Sequence, residues 1–165
     1  MRQFTINCVV LLALTTPVMA AATCKPSPKV SAYLNTQPSW HIRSHHQLSS
    51  DDRTLWQRYR PDSCLGLAQA DLSGNGHLSS ALVLEKGEQT RLIILLERQG
   101  KLEEKPIKAQ GRYVVHTAQP GVTYEFKTRK RYDLKHQSFV FEVMEARAEQ
   151  YYWRDGKLSS ILITD

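Results

Sequence analysis

The sequence predicts an α+β fold dominated by β-structure: an antiparallel meander sheet with one or two N-terminal helices. Three observations predict it. Beyond Cys64 the chain breaks into eight segments of roughly 5 to 10 residues, most of them rich in β-branched or aromatic side chains and separated by Gly, Pro or charged turns. Ahead of them stands one well-marked helix start. Between the last two segments lies Arg154-Asp155-Gly156-Lys157, and Asp-Gly supplies the positive φ angles that a type I′ hairpin turn requires.

The chain opens with Arg2, an apolar run from Cys8 to Leu14, Pro17 and then small residues. This pattern predicts a secretory signal peptide over residues 1–22, cut after Ala20 or Ala22. The apolar run is too short to cross about 30 Å of hydrocarbon. No second hydrophobic segment follows, so residues 23–165 are expected to form a single globular domain, periplasmic or secreted from a bacterium, without a membrane span. Lipid attachment at Cys24 would want Gly, Ala or Ser where Thr23 stands, and Leu where Ala21 stands. With Cys8 removed, Cys24 and Cys64 remain in an oxidising compartment, where an even pair predicts one disulfide.

After the Pro-punctuated lead-in KPSPK, the stretch VSAYLNTQ suits a short helix. The stronger start is Ser49-Ser50-Asp51-Asp52, a Ser cap with two acids in the first turn, where free backbone amides and the helix dipole favour them. Leu55 and Tyr59 then fall four apart on one face beside Trp56, and Pro61 ends the helix. Among the strands, the unbroken apolar run Leu92 to Leu96 predicts a central strand covered on both faces. Alternation in the 122–126 and 138–143 segments predicts one face toward water.

The stretch from Asp71 to Leu84, DLSGNGHLSSALVL, has the layout of a calcium loop. Asp71, Ser73, Asn75, His77 (through its carbonyl) and Ser79 occupy successive ligand positions, with Gly76 at the turn. An EF-hand also needs a bidentate Glu at its twelfth position, and Leu82 stands there. Residues 66–84 instead resemble the FG-GAP repeat of integrin-like β-propellers, in which a strand ending in Asp precedes the loop D-x-[DN]-x-[DN]-G-x-x-D and an apolar strand. Asp71, Asn75, Gly76 and the strand Ala81 to Leu84 match; Ser73 and Ser79 replace acidic or amide positions. The resemblance implies calcium as the only cofactor to consider and supplies a strand-loop-strand unit, present in one copy, not a propeller. With one formal negative charge, the loop is expected to serve mainly as a metal-free turn in which Asp71 and Asn75 accept from loop amides.

Other chemistry is sparse. His41, His45 and His46 have no strong zinc spacing, and neither a G-x-S-x-G elbow nor an S-x-x-K set is present. Lys and Arg outnumber Asp and Glu by 22 to 16, and removal of Arg2 with the leader leaves a net +5. That balance points to an anionic cell-envelope or protein partner. Location and the lack of a recognition signature exclude nucleic acid. The basic run from Lys127 to His136 is expected to form a protruding hairpin end, with Arg129, Lys130, Arg131 and Tyr132 as partner contacts and Tyr151 and Trp153 nearby. The sequence thus reads as a non-enzymatic periplasmic protein that binds a macromolecule, an inhibitor or immunity-type protein among the roles that fit. A calcium-dependent ligand or carbohydrate-binding module is the alternative.

Overall fold

The computed structural model describes residues 24–61, 63–108 and 111–165; the leader expected over residues 1–22 lies outside them. In chain order the elements are α1 (Pro28–Asn35), β1 (His41–Ile42), a 3-10 turn (His45–Gln47), α2 (Ser50–Tyr59), β2 (Leu67–Ala70), β3 (Ser79–Lys86), β4 (Gln89–Arg98) and β5 (Lys101–Ile107). They continue as β6 (Tyr113–Ala118), β7 (Gly121–Tyr124), β8 (Arg131–Leu134), β9 (Ser138–Val143), β10 (Ala148–Arg154) and β11 (Lys157–Thr164). Among the described residues the fold is β-dominated and antiparallel, with two N-terminal α-helices.

Turn chemistry sets the pairing. Asp155 (φ 50°) and Gly156 (φ 77°) join β10 to β11, and Gln99 (φ 50°) and Gly100 (φ 80°) join β4 to β5. Both turns carry the two positive φ angles of type I′, whose twist matches that of the flanking strands. The strands divide into two larger sheets and a two-stranded hairpin, where one sheet was expected. In the first sheet β1 and β2 share one edge of β3, followed by β4 and β5; in the second the order is β11-β10-β9-β6; β7 pairs with β8.

The division follows from strands that are apolar on both faces. Leu92, Ile94 and Leu96 of β4 join Ala81 and Val83 of β3 in a core shared with Val115, Phe139, Phe141 and Tyr151 of the second sheet. Ile93 and Leu95 point the other way, with Leu82 and Leu84, onto Val30 of α1. A single sheet could not cover both sets. Strand β9 is likewise buried from Ser138 to Phe141, where one wet face was expected. Strand β5 had no apolar pattern to announce it; Pro106 and its charges place it at an edge, where a missing N–H costs no ladder bond.

The expected start of α2 holds, whereas α1 begins at Pro28, inside the KPSPK lead-in and two residues before the stretch expected to be helical. Ser27 caps α1 by accepting from Val30 N, and Ser49 caps α2 by accepting from Asp52 N at 3.1 Å. Helix α2 inserts Trp56 among Leu48, Leu65 and Val114, outside the second sheet. Cys24 and Cys64 form a disulfide with their Cα atoms 5.2 Å apart, tying the start of the described chain to the segment before β2.

The two pieces flanking β3 meet at Val83, whose carbonyl accepts from Arg43 N and whose N–H donates to Gly66 O, both at 2.9 Å. Gly66 is required there: an added Cβ would lie 2.6 Å from Arg43 N. Beside it, the Arg43 side chain is buried, pairs with Glu85 and donates to the Tyr113 carbonyl at 2.8 Å. One guanidinium thereby joins the two sheets. On the same side Val115 N donates to Leu65 O and Thr117 Oγ1 to Gln69 O, each at 2.8 Å.

Candidate functional site

The Asp71 loop begins where β2 ends. Asp71 Oδ1 accepts from Gly74 N at 2.7 Å and Asn75 N at 3.1 Å, and Oδ2 accepts from Gly76 N at 2.7 Å. Partial burial opposes ionisation of this carboxyl, but the amides of Gly76, Asn75, Gly74 and Ser73 outweigh it and hold its pKa below the ordinary value. Asn75 Oδ1 accepts from His77 N at 2.9 Å, and Ser79 Oγ accepts from Glu97 N at 3.3 Å. Ser73, Asn75, His77 and Ser79 line a hollow of about 420 Å³ together with Glu97, Arg98 and Trp153. Among the described residues no group of three His, Cys, Asp or Glu side chains is arranged to hold a metal ion; that covers this loop and the His41, His45 and His46 segment.

The loop also braces the basic hairpin. Asp71 N donates to Gln137 Oε1 at 2.9 Å, and the His136 ring lies so close to Gly74 that a Cβ there would sit 2.4 Å from it. Only Gly permits this approach at φ 71°. The chain leaving β8 is thus clamped to the loop that leaves β2.

The basic run is not a bare hairpin end between two long strands. It contains β8, which folds back on β7 with Arg131 opposite Tyr124 and Asp133 opposite Val122. The tip runs from Glu125 to Lys130, closed by Glu125 N to Lys130 O at 2.9 Å, with Arg129 at φ 58°. Alternation sends Tyr132 and Leu134 inward onto Tyr152 and Ile161 of the second sheet. Val122, Tyr124, Arg131 and Asp133 face outward and are exposed.

Of the expected contacts, Arg129, Lys130 and Arg131 are exposed. Tyr132 is half-buried, edge-on to Tyr152 at 6.1 Å with Lys130 over its ring. Tyr151 is 8% exposed and belongs to the core between the sheets, so its ring is not available to a partner. Trp153 is half-buried with the Arg98 guanidinium 4.8 Å from its ring centre. A groove of about 470 Å³ runs along residues 130–137 and meets Tyr152, Trp153 and Arg154; Trp153 and Leu72 line both this groove and the hollow beside the Asp71 loop.

One cluster escaped the sequence reading. Arg60 Nη2 lies 2.9 Å from His116 Nε2 and 3.5 Å from Glu142, and its guanidinium sits 5.5 Å from the Trp56 ring centre. Burial, helped by Arg60, pushes the His116 pKa down to about 3, while burial raises that of Glu142 against the pull of Arg60. These residues come from α2 and the Arg60 that caps its C-terminus, from β6 and from β9, and no spacing in the sequence brings them together.

Compared with known protein families, curated proteins and solved structures, the chain matches none.

Proposed function

We propose that this is a non-enzymatic exported protein that binds an acidic macromolecular partner through the β7–β8 hairpin. The outer face of the hairpin carries the reading. Four large apolar side chains are exposed in the described chain, and two of them, Val122 and Tyr124, stand side by side on β7. Arg131 lies directly opposite Tyr124, with Arg129 and Lys130 at the tip. Aromatic and Arg side chains with an apolar neighbour are the composition of binding hot spots. The disulfide and the lack of a membrane-spanning helix among the described residues are compatible with an exported protein. A stoichiometric inhibitor or immunity-type protein is the role that suits these features.

The test places a photoreactive side chain at Tyr124 in cells that export the protein. One dominant adduct is expected, lost when Arg129, Lys130 and Arg131 are all changed to Glu. Adducts unaltered by charge reversal would remove the hairpin from the function.

A second reading, a calcium-dependent ligand or carbohydrate-binding module, is favoured by the hollow in which Ser73, Asn75, His77 and Ser79 meet Trp153. A calcium-linked rise in Tm, abolished in Asp71→Ala, would select it.

A further inference from the structure

We infer that the partner supplies an extended acidic peptide segment, added as a strand to the outer edge of β8. The inference rests on the hairpin reading above and names the partner's chemistry and binding mode.

The hydrogen-bond parity of the hairpin comes first. Glu125 N donates to Lys130 O across the tip, so Glu125 and Lys130 are a hydrogen-bonded pair. In an antiparallel ladder such pairs alternate with non-bonded ones. Thr123 with Tyr132 and Gly121 with Leu134 are therefore the bonded pairs in the observed register. The backbone N–H and C=O of Arg131 and Asp133 point away from β7. Phe126 N, of the parity that faces away from β8, donates to Leu162 O at 2.8 Å, which agrees with this parity. Among the described residues β8 pairs with β7 alone, so its outward groups form an open edge.

Space lies beside that edge. The groove follows β8 along its whole length. Its far wall is the end of β10, which runs on through Tyr152, Trp153 and Arg154 after its last pairing with β9, Tyr151 with Phe139. The slot therefore lies between the open edge of one strand and the overhang of another. At about 3.3 Å per residue the four residues of β8 give a ladder of about 13 Å, enough for roughly four residues of an added strand.

Charge chooses the occupant. Lys130, Arg131, Lys135 and Arg154 line the slot, with Asp133 its one carboxylate, and Lys135 already holds that carboxylate at 2.7 Å. Such an edge repels another basic strand, including a second copy of itself, and attracts an acidic one.

The test uses a short peptide alternating Glu and Thr as probe, titrated into the disulfide-bonded chain, beside an oligogalacturonate of equal charge that has no amide backbone. Asp133→Ala removes the carboxylate and is expected to bind the peptide as tightly as the parent chain or more tightly. Asp133→Pro removes the same carboxylate and also the outward N–H, at an edge position where Pro leaves the β7 ladder intact. It is expected to bind about tenfold more weakly than Asp133→Ala, the loss of one such bond. Equal binding by the two variants, no binding of the peptide to the parent chain, or equally tight binding of the oligogalacturonate would overturn strand addition. The Arg129, Lys130 and Arg131 reversal is separate: peptide binding that survives it overturns the hairpin reading itself. Should Asp133→Pro fail to fold, amide exchange in the parent chain decides. The peptide is expected to slow exchange at Arg131 and Asp133, and unchanged rates there overturn the inference.

Discussion

The carboxylate of Asp71 accepts the backbone N–H of Gly76, five residues on, at 2.7 Å. With Gly74 and Asn75 on its other oxygen, this one side chain closes the loop from within. Asp71→Ala is expected to cost about 1–3 kcal/mol in denaturant titration, because water can reach the released amides. Under the hairpin reading, Tm is expected to be the same in millimolar calcium and in chelator. The Asp71 pKa is held down in the folded chain, so its contribution is present above the ordinary carboxyl value of 3.8 and is lost as pH falls toward the folded value.

His116 makes the fold sensitive to mild acid. Its folded pKa of about 3 lies below the ordinary 6.5, so unfolding takes up a proton between those values. Stability is full above pH 6.5 and falls by up to about 1.4 kcal/mol per pH unit below it. Glu142 has the opposite sign: its raised pKa favours the folded state below the ordinary 4.5, a benefit lost as pH rises. His116→Gln is expected to flatten the pH dependence of unfolding above pH 4.5, and Glu142→Gln to steepen it nearer 4.5. Denaturant midpoints measured across this range check both.

The buried pair Arg43 and Glu85 predicts asymmetric mutational costs. Arg43→Met strands a buried carboxylate and a Tyr113 carbonyl, and is expected to cost about 3–5 kcal/mol. Changing both residues to Met is expected to cost far less, since an apolar pair leaves no unpaired charge. A double-mutant cycle on unfolding free energy measures the difference.

Reduction of the Cys24–Cys64 disulfide, at a sequence separation of 40, is expected to cost about 4 kcal/mol in the chain-entropy picture. Melts of the parent chain and of the Cys24→Ser, Cys64→Ser double variant, with and without reductant, check it. Only the parent should respond to reductant.

Features encoded locally were legible in the sequence. The Ser49 cap, the Asp155-Gly156 turn and the doubly covered run Leu92 to Leu96 each depend on neighbours within a few residues, and all three were readable. What required distant partners was not. Strand β8 hides in a basic run because its inward residues, Tyr132 and Leu134, amount to two apolar positions in four. Tyr151 reads equally well as an anchor or as core until Phe141 is seen edge-on to it at 5.6 Å. Arg43 and Glu85 are 42 residues apart, and the sequence holds no sign that a charge beside β1 would be buried.

The split edge of β3 imposes an order on assembly. His41 pairs with Glu85 and Leu67 with Leu82, so β1, the earlier piece, has no ladder to join until the chain has been made through β3. A chain emerging from its N-terminus must hold α1 and β1 in waiting while more than forty residues follow. Both cysteines precede β3, and their cross-link closes β1 into a loop whose Cys64 end leads directly into β2. When β3 arrives and pairs with β2, it brings that closed loop, with β1 inside it, to the same strand edge, so the N-terminal piece docks as part of a ring and not as a free end.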